Sequence, residues 1–217
     1  MVAQATEGCI RGFAFIVEGP TERVFYHEYL KWCCGNLSGC SMEQLPNKDY
    51  LIRTGQGNVL VKFNVKGSVS SVPNAMNWVR STCAVASGFP WTVVLCYDTD
   101  GNTSLNLDTR AWRRFREDLA AMKLPVIDLA ADADIEDIML ADIDGVRRFL
   151  GLPSFVEPRG KKGKAKLKSL YKVVDVTQPY KSGEKARDLI SSLDFNVIEA
   201  RAPMDIVALR LAVFAES

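Results

Sequence analysis

Apolar positions along this chain fall alternately in short continuous runs and in helical stripes. Residues 13–17 (Phe-Ala-Phe-Ile-Val) are uninterrupted and rich in aromatic and branched side chains, the pattern of a strand covered on both faces. Gly19 and Pro20 end the run. Phe25, Tyr29 and Trp32 then recur at i, i+4 and i+7, which predicts a helix beginning near Thr21 and stopping around Gly35 and Asn36. Residues 49–53 read as a second short strand, followed by the glycine-bearing loop Thr54-Gly-Gln-Gly-Asn58, and part of 74–86 reads as a helix. The clearest strand is 91–97. After it, Trp112, Phe115, Leu119 and Met122 keep helical spacing, and 125–129 predicts a fourth strand.

Strands that alternate with helices imply an α/β fold, a Rossmann-like central parallel sheet of about four strands flanked by helices and joined by right-handed crossovers. Ligands of such sheets bind beyond the carboxyl ends of the strands. Downstream, 134–150 carries Ile135, Ile138, Met139, Val146 and Phe149 as a helical segment with a break near Gly145. A glycine-lysine loop over 158–168 merges into a helix, and further helices are expected near 182–193 and 204–214. The expected division is a catalytic domain over 10–142 and, over 143–217, a basic loop with a helical C-terminal extension packed on it.

Composition adds little: 47% hydrophobic and 24% charged residues are ordinary globular values, which leaves no room for a disordered chain. No run approaches the roughly 18 apolar residues of a spanning helix, and the first residues lack the basic and apolar regions of a signal peptide, so a cytoplasmic protein without a membrane partner is expected. Six cysteines occur without a C-x-x-C pair and beside a single histidine, His27, so zinc spacings are absent and reduced, packed thiols are expected. Net charge is +1, but its distribution is uneven. Between Asp128 and Asp144 there are seven acidic residues and no basic one, whereas seven basic residues lie between Arg159 and Lys172. One region is suited to cations and the other to an anion.

The candidate chemistry sits where strands end. Glu18 leaves the first strand and Glu22 falls in the first turn of the next helix, where the helix N-terminus favours negative charge. Asp98 and Asp100, two residues apart after the strand 91–97, point the same way if the chain stays extended. Carboxylates gathered so closely repel one another unless a cation neutralises them, and Mg²⁺ or Mn²⁺ prefers such oxygen ligands. Phosphoryl transfer is the chemistry such a site supports best. The plainer reading is that Glu22 caps a helix and that Asp98 to Gly101 is a turn.

The stretches Val17-Glu-Gly-Pro-Thr-Glu22 and Leu95-Cys-Tyr-Asp-Thr-Asp-Gly101 resemble the Toprim domain of topoisomerases, primases and related nucleases, marked by a glutamate and glycine after the first strand and a later Asp-x-Asp. The acidic residue four after the first glutamate, and Asp134-Ile-Glu-Asp-Ile-Met-Leu140, are similar to the overcoming-lysogenization-defect (OLD) and RloB-like nuclease branch. The resemblance covers roughly residues 10–142. It implies Glu18, Glu22, Asp98, Asp100 and Glu136 as ligands of Mg²⁺ or Mn²⁺, Glu18 also as general base, Asp137 as a weaker candidate ligand, and a downstream lysine, for which Lys164 is chosen, at the phosphate. It also implies a DNA or RNA substrate and a role in defence against phage or foreign nucleic acid. OLD proteins join this domain to an ATPase; this chain has no G-x-x-x-x-G-K-[ST] loop, so an ATPase would have to act from a partner chain.

Lys161, Lys162, Lys164, Lys166 and Lys168 are expected to neutralise nucleic-acid phosphates, against the plain alternative of a solvated lysine loop. Arg53 and the adjoining glycine loop are further phosphate candidates, and His27 is expected to be packed or on the surface. Two rival functions remain open at this point. One is a non-catalytic Toprim-fold module that binds nucleic acid or regulates. The other is a haloacid-dehalogenase-like phosphatase, because Asp98-Thr-Asp-Gly-Asn-Thr103 also matches the nucleophile motif of that family, although it leaves Glu18 and Glu22 without a role.

Overall fold

The computed structural model describes residues 8–83, 88–99, 109–132 and 134–214. Strand β1 (Cys9–Val17) lies within the sheet, and its alternation sends Phe13, Phe15 and Val17 to one face and Ala14 and Ile16 to the other, all buried. Gly19 caps helix α1 (Pro20–Gly35), with Pro20 in its first turn, where the missing N–H has no intrahelical partner to lose. Next come β2 (Ser41–Gln44), β3 (Tyr50–Thr54) and β4 (Gly57–Val65), then a 3-10 segment Val69–Ala75 leading into α2 (Met76–Thr82). Strand β5 (Trp91–Asp98), helix α3 (Arg110–Ala121) and β6 (Val126–Ala131) complete the sheet. Helices α4 (Ile135–Met139), α5 (Ile143–Leu150), α6 (Gly163–Val174), α7 (Arg187–Ser191), α8 (Phe195–Arg201) and α9 (Ile206–Phe214) follow.

The fold is α/β, with a six-stranded sheet in the order β2-β3-β4-β1-β5-β6. β4, β1, β5 and β6 are parallel; β3 runs against them, and the edge strand β2, antiparallel to β3, shares their direction. This corrects the expected count of about four strands. The segment expected to be a loop, residues 54–58, is a hairpin turn in which Thr54 faces Gly57 across the Gly55-Gln56 pair, and β4 follows at once. β4 is a parallel neighbour of β1, and the strand expected at 49–53 pairs with β4 antiparallel instead of joining the parallel set. β2 has exposed or half-exposed residues throughout, so it carries no apolar signal.

Helices cover both faces. Phe25 and Tyr29 of α1 share a core with Leu167 of α6, Ile190 of α7, Phe195 of α8 and Leu209 of α9, so the extension beyond residue 143 is built into the same apolar layer as the first helix. The Tyr29 hydroxyl donates to Glu199 Oε1 at 2.6 Å and tightens that join. On the other face α2 and α3 contribute Val79, Trp112, Phe115 and Leu119 to a second core around Ala14, Ile16 and Leu95. Each such side chain, fully buried, contributes roughly 1.5–3 kcal/mol. The break expected near Gly145 falls at Leu140–Asp142, where the chain tightens to a 3-10 turn and the Asp142 side chain accepts the Gly145 N–H to restart the helix. Of the helix expected within 74–86, residues 84–86 lie outside the described residues. No described helix is long and apolar enough to cross a membrane.

Candidate functional site

Parallel registration brings three strand ends to one rim. Val17 of β1 lies opposite Val65 of β4 and Cys96 of β5, so Glu18, Gly67 and Asp98 emerge side by side. Backbone hydrogen bonds continue past the strands: the Glu18 N–H donates to Cys96 O at 3.0 Å and the Gly67 N–H donates to Glu18 O at 2.6 Å. The Asp98 N–H donates to Glu18 Oε2 at 3.1 Å, which fixes the first carboxylate against the second segment. Glu22, one turn into α1, is 6% exposed and completes this side.

The third segment comes from β6 and α4. Asp134 caps α4 and accepts the Asp137 N–H at 3.0 Å. Its second oxygen accepts the Lys164 N–H at 3.1 Å, while Asp137 accepts the Gly163 N–H at 2.9 Å and the Lys166 ammonium at 2.6 Å. Two aspartates of α4 thus hold the start of α6 against it. Glu136 between them is 3% exposed and accepts a hydrogen bond from the Tyr180 hydroxyl at 3.0 Å.

Gly163 makes this junction possible. A Cβ there would overlap the backbone of Glu136 and Asp137 and the Asp134 carboxylate. Gly163→Ala is expected to lower stability by about 1–3 kcal/mol, the cost of overpacking a close contact, read as a lower urea midpoint. A midpoint equal to the parent's would mean that α6 does not press on α4 this closely.

Between the segments lies a cavity of about 630 Å³. Glu18, Glu22, Asp98, Asp134 and Glu136 line one part of it, and Lys161, Lys162, Lys164 and Lys168, all exposed, line another. The carboxylates raise one another's pKa. Burial, then the charges of Glu22, Glu18, Asp134 and Glu136, push Asp98 up to about 9. Burial, with Glu18 and Glu136 nearby, pushes Glu22 up to about 7. Glu136 is raised by burial and by Asp134, against the pull of Tyr180 and Lys164. Among the described residues, no hydrogen-bond donor meets the buried Asp98 Oδ1. A buried acceptor in that state costs about 1–3 kcal/mol.

Compared with models of known protein families and with curated proteins, the chain matches none.

The sequence-predicted residues therefore separate. Glu18, Glu22, Asp98 and Glu136 line one cavity with Lys161, Lys162, Lys164 and Lys168. Asp100 lies outside the described residues. Lys166 does not line the cavity, because its ammonium is held by Asp137, and Asp137 itself is occupied in anchoring α6. Arg53 is not brought to the site. β3 is antiparallel, so its carboxyl end lies beside Asn58 at the start of β4, about 25 Å along the strand from the rim, and its guanidinium pairs with Glu43 at 2.5 Å. His27 is packed, its ring 4.6 Å from that of Tyr50 and its Nδ1 2.9 Å from Glu28 Oε1.

Two residues of the site escape the sequence reading. Asp134 was readable as a helix cap from its Asp-x-x-Asp spacing, but its grip on Lys164 was not. Tyr180, 44 residues from Glu136, carries no local signal. No three His, Cys, Asp or Glu side chains among the described residues are already arranged to hold a metal ion. The ligand set nonetheless suits a hard cation: all oxygen, mutually repelling and including an acceptor that no donor among the described residues meets.

Proposed function

We propose that this chain is a metal-dependent nuclease of the Toprim type, nearest the OLD and RloB-like branch, that hydrolyses phosphodiester bonds of DNA or RNA. The observation that carries the reading is the buried Asp98 Oδ1, met by no donor among the described residues and set among carboxylates that raise its pKa, in a cavity also lined by lysines. Glu18, Glu22, Asp98 and Glu136, together with Asp100, which lies outside the described residues, would hold Mg²⁺ or Mn²⁺. Bound there, the cation would polarise a phosphoryl oxygen and lower the pKa of water.

The chain's own groups do the rest. Exposed lysines draw in the phosphate backbone, and Lys164, whose main chain is fixed by Asp134, sets one ammonium at the reacting phosphate. Glu18, half-buried and oriented by the Asp98 N–H, is the base that takes a proton from the attacking water. The new O–P bond forms as the bond to the leaving sugar oxygen breaks, and that oxygen takes a proton from solvent. Asp98 as a phosphatase nucleophile is less well supported, since it would leave Glu18, Glu22 and Glu136 crowding the same cavity without a task. Through the resemblance, the proposal extends to defence against foreign nucleic acid and to control by an ATPase on a partner chain.

The test is incubation of labelled DNA and RNA with the parent, Glu18→Ala and Asp98→Ala proteins in Mg²⁺ and in Mn²⁺. Cleavage by the parent alone, in a metal-dependent manner, is expected. If neither metal supports cleavage of any substrate and both variants bind nucleic acid as the parent does, the nuclease reading fails and a binding module remains.

A further inference from the structure

Two cysteines lie closer together than packing alone requires. Cys34 is in the last turn of α1 and Cys40 stands just before β2, and their Sγ atoms are 2.7 Å apart. That is about 0.7 Å beyond a disulfide bond. The chain between them is already folded back. The Leu37 N–H donates to Cys34 O and the Cys40 N–H donates to Leu37 O, each at 3.2 Å, so no backbone rearrangement is needed to keep the sulfurs together.

The two thiols differ in access. Cys34 is 4% exposed, whereas Cys40 is half-buried and lines a cavity of about 200 Å³ with Leu37, Ser38, Gln56 and Phe214. Burial, with Cys40 alongside, pushes the Cys34 thiol above its ordinary value. Cys40 is therefore the sulfur an oxidant reaches, and Cys34 the one that resolves the product. Cys33, the neighbour in sequence, is turned toward Tyr29 and Glu199 and has no part in the pair.

We propose that Cys34 and Cys40 are a modification site that closes to an intramolecular disulfide when the protein meets a hydroperoxide, stapling the end of α1 to the edge strand β2. In the first step the Cys40 sulfur attacks the peroxide: an S–O bond forms, the O–O bond breaks, and the leaving oxygen departs with a proton as water or alcohol. The Cys34 sulfur then attacks Cys40, the S–O bond breaks, and the second oxygen leaves as water with the Cys34 proton. Two thiols lose two electrons and one peroxide gains them.

The experiment uses the whole protein and reads no cleavage, so it stands apart from the nuclease reading. Hydrogen peroxide is added, then quenched; the protein is denatured, alkylated and digested with trypsin. One peptide, residues 32–48, carries Cys33, Cys34 and Cys40. After peroxide it is expected to carry one alkyl group instead of three, on Cys33, and to recover all three after dithiothreitol. Cys33→Ser should leave the disulfide in place, and Cys34→Ser should replace it with a Cys40 sulfenic acid trapped by dimedone. Three alkyl groups at a peroxide dose that oxidises a free model thiol would overturn the proposal, and so would a disulfide that includes Cys33.

Discussion

Asp98→Asn is expected to make the metal-free protein more stable while abolishing cleavage. In the folded state Asp98 titrates at about 9, raised by burial and by Glu22, Glu18, Asp134 and Glu136; in an unfolded chain it titrates at about 3.9. Between those values the folded protein binds a proton that the unfolded chain does not, so stability falls as pH rises from about 4 toward about 9. Glu22, raised to about 7, adds to the same trend over the lower part of the range. An asparagine has no charge to suppress and brings a donor into a cluster of acceptors. The gain should be close to zero near pH 4 and grow to about 1–3 kcal/mol at alkaline pH, the range for relieving an unsatisfied buried group. Urea unfolding in a chelator, parent beside variant across that range, measures it.

Divalent cations should reverse the ranking. For the parent, Mn²⁺ at a thousand times its dissociation constant adds about 4.1 kcal/mol of stability, and more readily at higher pH because protons no longer compete. Asp98→Asn should lose that response together with at least about a hundredfold in cleavage rate, as for loss of a preorganised electrostatic group. A variant less stable than the parent at alkaline pH in chelator would show that Asp98 is a structural acceptor whose partner is within the fold.

The second large effect concerns the lysine wall. Replacing Lys161, Lys162, Lys164 and Lys168 together by glutamine should lower nucleic-acid affinity by about tenfold per lysine at 0.1 M salt and flatten the salt dependence by nearly one unit of slope for each. Fluorescence anisotropy with a labelled oligonucleotide over a salt series reads both quantities. Lys166→Gln and Arg53→Gln serve as contrasts. Lys166 is ion-paired with Asp137 at 2.6 Å, so its loss should loosen the seat of α6 and leave the slope nearly unchanged. Arg53, paired with Glu43 at the opposite end of the strands, should change neither. An unchanged slope in the fourfold variant would mean that these lysines only solvate their loop.

How much of this was legible follows from range. The runs ending in Glu18 and Asp98 are strands buried on both faces, and a continuous apolar run broken by acidic residues can be read without knowing its neighbours. Strand direction cannot. Residues 49–53 were readable as a strand, but their antiparallel pairing depends on a two-residue turn, and that turn decides whether Arg53 shares the rim or lies far from it. β4 was lost among Asn58, Lys62 and Asn64, because a strand with half-exposed positions mixes polar residues into its apolar run. The lysine segment gave its charge but not its contacts. Only the fold shows that Asp137 takes Lys166 out of the wall and that Asp134 fixes the main chain of Lys164.

On the proposed reading, three separate segments of the chain form one cation site. Titration of the parent with Mn²⁺, with bound ions counted by electron paramagnetic resonance, beside Glu18→Gln, Asp98→Asn, Glu136→Gln and Asp137→Asn, shows whether they do. Tight binding in the parent and in Asp137→Asn, lost in each of the other three, is the predicted result. Mn²⁺ binding that is absent from the parent, or that survives in Glu18→Gln and Asp98→Asn alike, would contradict it.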